Sequence, residues 1–292
     1  MEITPALVKE LRERTGAGMM DCKKALVEAE GGMDLAVELL RKAGAAKADK
    51  KSSRVAAEGR VAIRSDEKSG RHVLVEVNSE TDFVAKDENF GAFVDRLAAV
   101  ILEQRPADVE ALMSATVDGR TIEDLRLELV TKVGENISVR RFETIDSEGT
   151  IGAYLHGTRI GVLVEIEGGD ADLARDLAMQ VAATSPRFVG PEDVPQDVLA
   201  KEREILTAQA AQEGKPPEIV AKMVEGRLRK QLDEITLMGQ PFVKDPDKRV
   251  RDLLAANKAR AKRFRRFEVG EGIEKKANDF VQEVMAQASQ SR

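Results

Sequence analysis

Val73-Leu74-Val75-Glu76-Val77 and Val162-Leu163-Val164-Glu165-Ile166 are one run written twice, with a single conservative change. The sequence around each run repeats as well. Glu58-Gly59-Arg60-Val61 precedes the first and Glu148-Gly149-Thr150-Ile151 precedes the second. Val61 and Ile63 alternate with polar residues, the period of a strand with one buried face, and the turn signal Lys68-Ser69-Gly70 separates that strand from the next. Phe93, Leu97 and Ile101 then recur at helical spacing, as do Leu173, Leu177 and Val181 in the second copy. The predicted fold is therefore α+β: a duplicated strand-strand-helix core with antiparallel sheets, each hairpin covered on one face by its helix.

The duplication supplies an internal control. Twenty positions separate Val77 from Leu97, but only eleven separate Ile166 from Leu177, so the first copy carries nine extra residues within Asn78–Phe90. If the second copy packs its helix without them, the first does not need them for its fold. Among them is Thr81-Asp82-Phe83-Val84-Ala85-Lys86, an apolar pair in a charged loop. On the residues alone two readings stand. Phe83 tucks back into its own core, or it is an exposed probe for a partner, where a buried aromatic anchor contributes roughly 1.5–3 kcal/mol.

Outward from the core the pattern is helical. Thr4-Pro5 reads as an N-cap followed by proline at the first helical position, with Leu7, Val8 and Leu11 on one face. A second helix is expected over Met20–Ala29 and a third over Asp34–Ala43, with glycines breaking the pattern between them. The polar stretch Lys47–Arg54 reads as a solvated linker. Two charged helices meeting at Gly214-Lys215-Pro216-Pro217 read as an antiparallel hairpin too thin to bury its own apolar stripe, which makes self-association plausible. Gln240–Pro246 is a connector, Val250–Ala261 is expected to be helical, and Phe264–Val269 is expected to be a strand. A last amphipathic helix carries Ile273, Ala277, Phe280 and Val284. The segments are then 1–46 (three-helix domain), 47–57 (linker), 58–146 (first core subdomain), 147–190 with 238–269 (second core subdomain), 191–237 (inserted hairpin) and 270–292 (C-terminal helical module).

Composition bounds the chemistry. The 292 residues amount to about twice the usual domain length. Aromatics are only 3%, with no Trp, so the core must be aliphatic. A net charge of −6 gives no global reason to bind nucleic acid or an anionic membrane, and no apolar run reaches membrane-spanning length. One cysteine, Cys22, fits a reducing compartment, and the expectation is a cytoplasmic protein. His72, His156 and Cys22 cannot build a Cys/His zinc site, and no phosphate-binding glycine loop is present. No metal, no cofactor and no enzymatic activity are expected. A hydrolase using unpaired carboxylates is the weakest rival. The stronger one is an RNA-binding or adaptor protein using the basic cluster Lys258–Arg266, whose plainer reading is a charged helix end followed by a strand.

At this point the motifs add up to a resemblance. Leu11-Arg12-Glu13-Arg14-Thr15-Gly16-Ala17-Gly18-Met19-Met20-Asp21-Cys22-Lys23-Lys24-Ala25-Leu26 resembles the N-terminal signature of the bacterial elongation factor Ts family. Glu76-Val77-Asn78-Ser79-Glu80-Thr81-Asp82-Phe83-Val84-Ala85-Lys86 is similar to its second signature. Gly134-Glu135-Asn136-Ile137, His156-Gly157, Gln240–Val243 and Phe267–Glu274 resemble further stretches, so the likeness runs the length of the chain. It implies a guanine-nucleotide exchange factor for elongation factor Tu, which displaces magnesium and promotes GDP release so that GTP can bind. It also implies a ubiquitin-associated-like N-terminal domain and a coiled-coil hairpin that makes a homodimer. By the same resemblance Thr81, Asp82, Phe83 and Val84 dislodge the partner's magnesium, and Arg12, Met19, Met20, Lys23 and His156 are partner contacts. Neither a membrane nor direct nucleic-acid binding is implied. The cluster Lys258–Arg266 departs from the family pattern in being more basic.

Overall fold

The structure is a computed structural model that describes residues 3–214 and 216–274. Contacts divide the chain into two compact units. One comprises the described residues up to Arg64, Val75–Phe142 and those from Glu268 on; the other comprises Ser65–Leu74 and Glu143–Phe267.

The first unit begins with helix α1 (Pro5–Thr15), capped by Thr4, whose hydroxyl accepts the Leu7 N–H. Helices α2 (Met19–Glu28) and α3 (Met33–Lys51) follow, and Val8, Leu11, Cys22, Ala25, Leu26, Ala36 and Leu40 form their shared core. The stretch expected to open a linker at Lys47 instead continues α3 to Lys51. Alanine and lysine are strong helix formers, and Ala48 is buried, so nothing stops the helix before Ser52.

Next come β1 (Glu58–Asp66), β2 (Arg71–Ser79), the single turn α4 (Asp82–Ala85), α5 (Glu88–Gln104) and α6 (Val109–Ser114). The short strands β3 (Thr116–Val117) and β4 (Arg120–Thr121) pair, and α7 (Ile122–Val133) leads to β5 (Ile137–Asp146). The sheet order is β1-β2-β5. Helix α3 packs on α7. The contact is close because Gly44 faces it: a Cβ there would lie 2.7 Å from the Thr131 hydroxyl.

In the second unit β6 (Thr150–His156) pairs antiparallel with β7 (Ile160–Glu167), from Thr150 opposite Ile166 to His156 opposite Ile160. Helix α8 (Ala171–Thr184) starts at Asp170, whose carboxylate accepts the Leu173 N–H. It buries Leu173, Leu177 and Val181 with Val162, Val164 and Ile166. Helices α9 (Gln196–Ala211) and α10 (Pro217–Ile235) pack on each other, then β8 (Pro241–Phe242), β9 (Asp245–Arg249), α11 (Val250–Ala256) and β10 (Arg260–Glu268) complete the described chain. The order is β10-β7-β6, so each copy gains a third strand on the free side of its second strand. The fold is α+β with antiparallel sheets, as the repeat predicts.

Two expectations near the end need correction. The helix predicted to run to Ala261 stops at Ala256, where Lys258 takes φ 50° and turns the chain back. The strand expected from Phe264 begins at Arg260, so the basic cluster lies mostly on β10 rather than on a helix end. The expected amphipathic helix through Ala277, Phe280 and Val284 falls outside the described residues.

Candidate functional site

Between Ser79 and Glu88 the first copy has a braced loop where the second has only Gly168-Gly169-Asp170. Its root is held from outside. The Thr81 N–H donates to Glu135 at 3.0 Å and the Thr81 hydroxyl donates to the other Glu135 oxygen at 2.6 Å. Ala85 at the far end is buried, and its carbonyl accepts the Arg60 Nε–H. Asp87 then caps α5 by accepting the Asn89 and Phe90 N–H groups, and Phe90 is fully buried. Between these fixed ends Phe83 is 81% exposed. It does not tuck back into its own core. Leaving such a ring in water forgoes roughly 1.5–3 kcal/mol of burial, so its own core gains nothing from it there.

The neighbours of Phe83 complete the tip. Asp82 pairs with Lys86 Nζ at 2.7 Å, and that ammonium holds the Asp82 carboxyl below the usual carboxylate range. The tip therefore presents an anion beside an aromatic ring at neutral pH. Val84 is half-buried and closes the turn, its N–H donating to Thr81 Oγ1.

The other predicted contact residues lie on the surface. Met20 is 65% exposed at the start of α2, and Met19, Arg12 and Lys23 are exposed as well. The Cys22 thiol between them is buried, donates to the Ala17 carbonyl, and has its pKa pushed up by burial, which marks a packing residue rather than a nucleophile. These side chains and the Phe83 loop belong to the same unit, and α3 with the residues just after it links them: Lys47 of α3 pairs with Asp21 of α2, while Arg54, past the helix end, reaches Glu80 at the root of the loop. His156 belongs to the other unit, at the exposed end of β6, with its Nδ1 3.2 Å from the Tyr154 hydroxyl.

Sequence reasoning missed two buried carboxylates. Glu76 on β2 is fully buried and accepts from Gly270 N–H (2.8 Å), Arg140 (3.0 Å) and Arg141 (2.7 Å). Burial alone would raise its pKa, but the Gly270 amide and the two guanidiniums outweigh it and hold the carboxyl below its ordinary value. Glu165, at the same position of the second copy, accepts from the Ser147 hydroxyl (2.7 Å), Arg263 (2.5 Å) and Lys262 (3.3 Å), and its pKa is lowered against burial in the same way. Arg265 also pairs with Glu143. The basic cluster is thus largely occupied within its own unit. Among the described residues no group of three or more His, Cys, Asp or Glu is placed to hold a metal, and no helix is long and apolar enough to cross a membrane.

These features define a class: an α+β protein built on a duplicated sheet-and-helix unit, with a braced loop offering one aromatic ring on the first copy only. The family model described as Elongation factor TS matches residues 80–271, which takes in that loop, the first copy from there to β5, and the second copy. Full-length relatives named Elongation factor Ts agree. The chain is 60% identical to that of Thioalkalivibrio sulfidiphilus over 290 residues, 99% of each chain. It is 57% identical to that of Halorhodospira halophila over 291 residues, covering all of both, and 56% identical to that of Methylococcus capsulatus over 293 residues, again covering all of both. The chain belongs to the elongation factor Ts family, and so to the elongation factors of protein synthesis.

Proposed function

We propose that the protein is a guanine-nucleotide exchange factor for elongation factor Tu, acting on the GDP complex by displacing magnesium and opening the nucleotide site to GTP. The observation that carries this reading is the exposed Phe83 on a braced loop inside the region the family model matches. Phe83 acts as a steric wedge. Asp82, ionised beside Lys86, rearranges the water shell of the partner's metal, while Thr81 and Val84 shape the turn that carries both.

The mechanism needs no acid, base or nucleophile of its own. GDP and magnesium favour one arrangement of the partner's pocket, and the factor binds better to an arrangement lacking them. Linkage makes this reciprocal: whatever the factor subtracts from GDP affinity, GDP subtracts from affinity for the factor. Weakening GDP by about 10⁴ requires roughly 5.5 kcal/mol of differential binding. One phenylalanine at roughly 1.5–3 kcal/mol falls short, so the grip comes from elsewhere: Arg12, Met19, Met20 and Lys23 on the N-terminal helices, and His156 on the second copy. The exposed Ile205 and Ile219 on the α9–α10 hairpin support a second copy of this chain as a further partner. The ion pairs of Lys262, Arg263 and Arg265 weigh against RNA as the partner.

Stopped-flow release of a fluorescent GDP analogue from the GTPase tests the proposal. Phe83→Ala slows release roughly tenfold or more, the loss of one buried aromatic anchor. Wild-type rates from this variant would remove the wedge.

A further inference from the structure

We infer that Glu135 is a positioning residue, the clamp that holds the Phe83 loop stiff and ties it to the end of α3. The inference rests on the exchange reading for its consequence, but not for its structural content.

The turn Gly134-Glu135-Asn136 touches two things at once. Toward the loop, both Glu135 oxygens are taken by Thr81, and the Asn136 N–H donates to Glu80 Oε1 at 2.6 Å. Toward α3, Lys51 Nζ donates to the Gly134 carbonyl at 2.6 Å, and Asn136 Nδ2 donates to the Arg54 carbonyl at 2.9 Å. Arg54 in turn reaches Glu80 at 3.4 Å. Three consecutive residues therefore bolt the end of α3 and the residues just after it to the first residues of the loop, with Glu135 fifty-four positions from Thr81 in sequence.

A stiff mount is what a wedge requires. Binding energy gathered by the helices acts on the partner's pocket only if the Phe83 ring cannot yield, because a loop free to swing would absorb the same contact as its own motion. Thr81 is also the cap of α4, so its anchor fixes the direction of the turn bearing Phe83. At the corresponding junction the second copy has Gly168-Gly169-Asp170 and no protruding ring to brace.

Two measurements separate a clamp from a merely structural contact. The chain contains no Trp, so Phe83→Trp places a lone indole at the tip. Its time-resolved anisotropy is expected to show little nanosecond motion, and adding Glu135→Ala is expected to raise the fast amplitude. An unchanged decay overturns the clamp, whatever the exchange assay says. In GDP release, Glu135→Ala is expected to lower the rate at saturating factor about tenfold while the half-saturating concentration moves less than about twofold. Glu135→Gln, whose amide carbonyl still accepts from Thr81, is expected to recover most of the rate. On a Phe83→Ala background Glu135→Ala is expected to add nothing. A full further loss there, or a normal rate from Glu135→Ala when Phe83→Ala is slow, overturns the positioning role. If Phe83→Ala itself releases GDP at the wild-type rate, the wedge fails, and the anisotropy alone decides whether Glu135 braces the loop.

Discussion

The two copies of the core are alike where they are buried and differ where they meet solvent. Each places a glutamate in the middle of its central strand and feeds it two cations from the third strand: Arg140 and Arg141 for Glu76, Lys262 and Arg263 for Glu165. Each follows its hairpin with a helix that buries the same apolar stripe. What they do with their edges is opposite. The first inserts the Phe83 loop between strand and helix, while the second passes from β7 to α8 through two glycines and a cap. Burial thus preserves the repeat, and the departures from it mark where each copy has surface to offer.

The largest effects should come from the shared part. Removing a buried carboxylate strands its cations, which costs about 3–5 kcal/mol. The copies should not be equal. The side chains of Arg140 and Arg141 are 25% and 32% exposed, whereas those of Lys262 and Arg263 are 51% and 38% exposed and can turn to water. Glu76→Ala should therefore lower stability in urea more than Glu165→Ala; equal losses would break the comparison. Acid sharpens it. Both folded pKa values lie below the ordinary value of 4.5, so the stability they contribute is complete above that pH and lost as pH falls through the folded values. Denaturation midpoints should drop as pH falls below about 4.5, and the Glu76→Gln and Glu165→Gln variants should each flatten that slope.

Next in size is the contrast between two phenylalanines of the first copy. Phe90, fully buried on α5, should cost about 3–5 kcal/mol of stability when cut to Ala. Phe83→Ala should leave thermal unfolding within about 0.5 kcal/mol of wild type, since its ring touches little of its own chain. Calorimetry on the two variants checks this. A destabilised Phe83→Ala would mean that the ring is scaffold.

Much of this was readable from the chain, for physical reasons that also explain the failures. Strands and stripes announce themselves when an apolar run is bounded by turn signals, as in Val73–Val77, or when burial follows the helical period, as in Leu173, Leu177 and Val181. The third strands show themselves less: β5 carries no strand pattern and β10 is expected only from Phe264, because Arg140, Arg141, Lys262 and Arg263, the cations that serve the two buried glutamates, read as a solvated charged face. A signal was present: Glu76 and Glu165 occupy the same place in otherwise apolar runs, and Arg140-Arg141-Phe142 matches Lys262-Arg263-Phe264. The extension of α3 was obscured because lysines and alanines suit both a linker and a helix end. Phe83 stands out by the spacing of the copies; the residues alone leave its direction open, and only the family resemblance turns it outward. Its partner Glu135 left no local trace, since a hydrogen bond across fifty-four positions has no period.

The smallest effect concerns the hairpin tips. In the first copy the turn after β1 is filled in, since a Cβ on Gly70 would lie 2.2 Å from the Ser147 carbonyl, and the Ser147 N–H donates to the Gly70 carbonyl. In the second copy the turn after β6 is open: nothing lies within 4 Å of a Cβ on Gly157, and Leu155 and His156 stand exposed beside it. If the free tip is where the second copy grips the GTPase, His156→Ala should weaken the complex only modestly, about two- to tenfold, because a rim side chain carries little of an interface's energy. It should leave the melting temperature alone and, unlike Phe83→Ala, should leave the rate of GDP release at saturating factor unchanged. Calorimetric titration of the nucleotide-free GTPase, read beside the saturated release rate, separates the two roles. A fall in the saturated rate would put His156 with the wedge rather than the grip and would erase the distinction between the copies.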